Sequence, residues 1–134
     1  MLWRRSLAAV GLGIKHQWSN MSIDNTVRGE AWVGDAVLAL YARRWLLRYT
    51  TKKMSEADRQ QLFELFVSNQ FLSSFGEPSQ VEATIGRKFE EEGLLAAFTH
   101  IEKSFLDSFR KSARKRGYVL PHPGTILSET PEDQ

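Results

Sequence analysis

"EAWVGDAVLALYARRWLL", residues 30–47, decides how the rest of the chain is read. It consists almost wholly of helix-forming, mostly apolar residues, yet Asp35 stands in its middle beside Gly34. Burying an unpaired carboxylate costs several kcal/mol or forces it to take up a proton. Either helix phase turns Asp35 toward water, or something cationic meets it. Around this stretch Val27, Ala31, Gly34, Val37, Leu38, Tyr41, Trp45 and Leu46 recur at three- and four-residue steps, the stripe of an amphipathic helix. Asp24 or Asn25 would cap that helix, which is expected over 26–49.

Three more helical segments follow, and no alternating strand pattern competes with them. "TTKKMS" interrupts the first pattern, and Ser55 before Glu56 reads as a new start. The second helix is expected over 56–74, burying Leu62, Leu65, Phe66, Phe71 and Leu72, with Asn69 as a hydrogen-bonded polar residue inside the stripe. Phe75-Gly76 is a natural stop, and Pro78 suits the first turn of a third helix running to Gly93. Val81, Ile85 and Phe89 line one side of it, with Glu82 beside that stripe. A fourth helix is expected over 94–115, with Leu94, Leu95, Phe98, Ile101, Phe105, Leu106 and Phe109 as its apolar face. Residues 21–117 thus read as one all-helical domain, and 118–134 as an irregular C-terminal tail.

The chain has 134 residues and 42% hydrophobic composition, enough for one core without staples. There is no Cys, so disulfides, thiolate metal sites and Cys nucleophiles are excluded. His16, His100 and His122 are far apart and lack zinc-ligand spacing, and no G-x-S-x-G elbow supports a Ser–His triad. Formal net charge is only +2, but it is unevenly spread. "RKSARKR", residues 110–116, holds Arg110, Lys111, Arg114, Lys115 and Arg116. Such a cluster can meet phosphate, or can simply be a solvated helix end that suits the macrodipole. The first twenty residues are basic and free of acids. They read as a mitochondrial presequence or as an N-terminal extension to a bacterial-type cytoplasmic protein. No apolar run is long enough for a membrane span.

Gly34 costs about 1 kcal/mol in a helix interior relative to Ala, and is easier to understand where another backbone comes close. Gly86, four residues after Glu82, is a second glycine of that kind. If the two helices cross at these glycines, Asp35 and Glu82 approach each other. Two adjacent carboxylates repel, and a divalent cation between them relieves the repulsion. Oxygen ligands alone suit Mg2+, with Mn2+ as a substitute. A metal held this way suits phosphoryl chemistry. The plainer alternative is that the acids point outward by phase and the glycines serve only packing.

"AWVGDAVLALYARRWLL" resembles the signature helix of ribonuclease III domains, most nearly that of the compact Mini-ribonuclease III branch, A-[YF]-x-G-D-A-[VI]-x-x-x-Y-x-R-x-x-L-L. Ala31, Gly34, Asp35, Ala36, Val37, Tyr41, Arg43, Leu46 and Leu47 fall on it. "VEATIG", residues 81–86, is similar to the family's second motif, E-A-x-I-G, and "VSNQFLSSFG", residues 67–76, to the helix before it. The likeness spans about residues 25–110. It implies a ribonuclease III-like helical fold, with Asp35 and Glu82 as catalytic metal ligands for Mg2+. It also implies a homodimer that cuts double-stranded or structured RNA, with ribosomal RNA maturation as the task. The chain departs from the larger enzymes at three positions: Arg28, Ala31 and Ser79 stand where they carry acids. The Mini branch also tends to lack these acids. Glu30 is displaced by one residue, about 100° around the helix, and does not replace the missing ligand. Glu82 follows Asp35 by 47 residues, a short interval for the family, and the basic loop that helps the Mini branch hold RNA is lost there. The 110–116 cluster would compensate by touching phosphates. Arg43 reads as structural, and Trp32 and Trp45 as core or dimer surface. A competing reading is a catalytically inactive ribonuclease III-like scaffold that binds RNA or a ribosome.

Overall fold

The computed structural model describes residues 23–50 and 54–120, with side chains from Thr26 onward. Among them every regular element is helical. In chain order these are α1 (Ile23–Tyr49), α2 (Glu56–Phe66), α3 (Asn69–Leu72), α4 (Pro78–Glu92), α5 (Leu94–Ile101), a π-helical turn (Glu102–Leu106) and α6 (Asp107–Lys115). The all-α expectation holds. No described helix is long and apolar enough to cross a membrane.

α1 is the axis of the fold. It packs most extensively on α4 and more lightly on α2 and α5. Being covered from several directions, it buries a wide arc: Ala31, Val33, Val37, Leu38, Tyr41, Ala42, Trp45 and Leu46. The helix begins by Ile23, so Asp24 and Asn25 lie within it and neither is the cap expected of them. The core is rich in rings. Phe109 stacks on Phe66 at 4.3 Å, and Phe71 and Trp45 meet Phe109 edge-on, each at 6.2 Å. Such arrangements add to the area effect, because ring edges are positive and faces negative.

The helix expected over 56–74 is two helices with a break. Ser55 caps α2 as read, its Oγ accepting the Asp58 amide at 3.0 Å. Ser68 interrupts the continuation: its Oγ accepts the Phe71 amide at 3.0 Å and donates to the Leu65 carbonyl at 2.8 Å. A serine that bonds its own backbone in this way competes with the helix ladder and favours a fresh start. The new start turns Phe71 and Leu72 into the core and leaves Asn69 exposed. The expected burial of Asn69 is therefore corrected. Gly76 turns with φ +146°, and Glu77 caps α4 by accepting the Gln80 amide at 2.9 Å.

The helix expected over 94–115 is interrupted by the π turn. Ala97, Ile101, Phe105, Phe109 and Ala113, all buried, recur at every fourth residue. Four-residue steps overshoot an α-helical turn by about 40° each, so the stripe would wind off the core. A wider turn takes up the excess and keeps all five facing inward. Leu95 falls off the stripe and is 79% exposed, against its expected burial. The start of the tail is irregular as read, yet docked. The Tyr118 hydroxyl lies 3.1 Å from Asp58 Oδ1 and 3.2 Å from Gln61 Oε1, and Leu120 is buried.

Candidate metal centre

Gly34 and Gly86 meet where α1 crosses α4. A Cβ built on Gly34 would collide with the Glu82 carbonyl and stand 2.9 Å from the Gly86 nitrogen. A Cβ on Gly86 would collide with the Glu30 carbonyl and stand 3.0 Å from the Gly34 nitrogen. The contact is reciprocal and runs backbone to backbone, so it admits no side chain on either helix.

The two acids ride on this crossing. Asp35 follows Gly34, and Glu82 sits one turn before Gly86 on the partner helix. Asp35 is exposed and Glu82 half-buried. Burial, the negative charge of Asp35 and a hydrogen bond to it, and the charge of Glu77 together push the Glu82 carboxyl up to about 7. The side chains therefore face each other. Among the described residues neither makes a salt bridge. What meets Asp35 is a second acid, not the cation that one sequence reading allowed.

Arg87, a cation on the same helix as Glu82, is engaged elsewhere. Arg87 Nη2 donates to Glu30 Oε1 at 3.1 Å and its Nε to Oε2 at 3.3 Å, a two-pronged bridge from α4 to α1. Glu30 is thereby occupied as a strut, consistent with its rejection as a ligand on helix phase. Arg28, Ala31 and Ser79 bring no carboxylate to the pair. Among the described residues no cluster of three metal-ligating side chains exists. Two carboxylates without a cation partner fit a Mg2+ ion, which keeps several waters and binds through one or two carboxylates plus substrate phosphate. Glu77 is the acid that sequence reading overlooked near the pair. Its side chain caps α4, and its charge adds to that of Asp35 in raising Glu82.

The basic cluster divides. Arg114, Lys115 and Arg116 are exposed at the end of α6. The Arg110 side chain is only 11% exposed, bonded to Asp107 at 3.3 Å and directed at the Leu120 carbonyl at 3.5 Å. It ties the tail to the helix, so this member of the cluster is engaged within the fold. Lys111 remains exposed and pairs with Asp107 at 3.2 Å. Arg43 lies 4.2 Å over the Phe63 ring, the structural role expected of it. Trp45 is core, and Trp32 is 58% exposed.

Comparison with protein-family models, with curated proteins and with solved structures gives no match to this chain.

Proposed function

We propose that this protein is a metal-dependent endoribonuclease of the ribonuclease III type, acting on double-stranded or structured RNA, with Asp35 and Glu82 as the ligands of a catalytic Mg2+. The observation that carries this reading is the opposed carboxylate pair, without a cation partner among the described residues, at a glycine-to-glycine helix crossing. When bound, the ion supplies a polarised phosphoryl oxygen and an activated water. Asp35 is open to solvent and would offer its oxygens to the ion. Glu82, held back beside it, completes the negative pocket once it gives up its proton. Arg114, Lys115, Arg116 and Lys111 would hold the phosphate backbone, a shape-based mode of duplex recognition. A second copy of the chain is part of the proposal, because a duplex presents two strands to be cut. Processing of ribosomal RNA is the task that the resemblance suggests.

A labelled RNA duplex incubated in Mg2+ or Mn2+ should be cleaved by the wild type. Asp35→Asn and Glu82→Gln should each lose about 100-fold or more, the loss of a mere outer-shell partner being the lower bound. The absence of a third ligating side chain among the described residues favours one other reading, an inactive RNA- or ribosome-binding scaffold. Tight duplex binding with no cleavage in either metal would select it.

A further inference from the structure

A groove of about 690 Å³, lined by Leu95 and Ala96 as well as by polar side chains, lies between α4 and the α5–π segment. Lys88 brings it a cation from α4, six residues past Glu82 and about 240° further around the helix. The groove is therefore separate from the carboxylate pair. From the other wall come Thr99, His100, Lys103 and Ser104. The Ser104 hydroxyl is 3.4 Å from His100 Nδ1, and the imidazole rests edge-on against Phe105 at 5.7 Å. Both contacts come from the next turn of the helix and orient the ring. Lys103 and Ser104 belong to the π turn, a feature that recurs at functional sites in helices.

The charges in this groove are unbalanced around the imidazole. Burial first, and then the positive charge of Lys88, hold His100 below its ordinary value. Lys103 has no acid partner among the described residues. The acid in the groove, Glu92, is spent on Lys88 at 3.3 Å in an exposed pair. Such pairs hold weakly and are readily exchanged. Two ammonium groups and, because the Ser104–His100 contact uses one proton of that pair, one further O–H or N–H form a donor set on one concave surface in which Lys103 lacks a matching acceptor among the described residues. An oxyanion with several acceptor oxygens supplies one.

We propose that this groove binds a phosphate group, held by Lys88, Lys103, Ser104 and His100. The site does not depend on the nuclease reading, since neither Asp35 nor Glu82 takes part. Its source is either a free phosphate monoester or the backbone of an RNA, and the same donors serve both.

The test is an NMR pH titration of the His100 ring in the full chain, assigned by His100→Gln. Inorganic phosphate is compared with chloride at equal ionic strength. Phosphate should raise the His100 pKa by about one unit, corresponding to about tenfold tighter binding to the protonated ring. Glu92→Gln should tighten phosphate binding, and Lys88→Ala and Lys103→Ala should each weaken it. In a second arm a short RNA duplex replaces phosphate. A shift with the duplex alone identifies the backbone as the source, and a shift with phosphate alone identifies a free monoester. No shift with either probe overturns the proposal. So does an undiminished shift in the Lys88→Ala/Lys103→Ala double variant, because both exchanged residues are at the surface and unfolding would be visible in the same spectra.

Discussion

At the scale of single residues, Glu82 makes the sharpest statement about this molecule. Its carboxyl ionises at about 7 in the folded chain, against 4.5 ordinarily, chiefly because burial and Asp35 disfavour the second charge. The folded state therefore binds a proton that the unfolded state releases first. Stability contributed by this group is present below about pH 4.5, falls as pH rises toward 7, and changes no further above that. Thermal unfolding followed across pH 4–8 should show that decline, and Glu82→Gln should flatten it. Asp35→Asn should lower the Glu82 pKa, yet leave it above 4.5, because desolvation is the larger cause. Added Mg2+ should raise the melting temperature more at pH 8 than at pH 5.5, since the ion and the proton compete for the same oxygens. Gly34→Ala belongs to this scale too. Its methyl group meets backbone, which cannot swing aside, so a destabilisation of about 3 kcal/mol or more is expected in urea titration. Both glycines were legible in the sequence because each is costly inside a helix. The partner of Asp35 was legible only as a possibility, since spacing along one chain cannot say which helices cross.

At the scale of elements, existence and type could be read from periodicity, while interruptions could not. The break at Ser68 depends on one hydroxyl choosing local backbone partners over solvent, and Ser is common enough in helices to give no warning. Ser68→Ala should cost about 1 kcal/mol, the worth of a cap. The π turn did leave a trace, namely the strict four-residue recurrence from Ala97 to Ala113. That recurrence looks like an ordinary amphipathic stripe until its drift around the helix is followed over several turns. The helices also differ in how much they tolerate. Phe109 touches Phe66, Phe71 and Trp45, so Phe109→Ala should cost about 3–5 kcal/mol. The loss should appear as a lower denaturant midpoint with an unchanged slope.

At the scale of the whole molecule, charge and exposed apolar surface are the features that partners would read. The end of α6 offers Arg114, Lys115 and Arg116 to solvent. Replacing all three by Ala should weaken RNA binding and reduce the slope of log affinity against log salt by about 2–3 if each meets a phosphate. Arg110→Ala should instead loosen the tail at Leu120, with a lower melting temperature and a smaller change in that slope. Apolar surface collects elsewhere. Leu47, 69% exposed, and Leu95 line a groove of about 740 Å³ together with Tyr41, Trp45 and Phe98. Sedimentation of the wild type beside Leu47→Lys/Leu95→Lys should show whether a second copy covers it. A dimer that becomes monomeric in the variant is the expected outcome. Sequence patterning identified most of the core, but it assigned Leu95 to the interior. Surface leucines are invisible to a method that equates apolar with buried.

The glycine crossing has one more consequence. Because the two helices touch through their main chains, the spacing of positions 35 and 82 is set by the scaffold and not by the groups mounted on it. The mount is thus separable from what it carries. Exchanging Asp35 and Glu82 for imidazoles should leave the helix pair in place and retune it toward softer ions such as zinc, making this small bundle a chassis for interchangeable coordination chemistry.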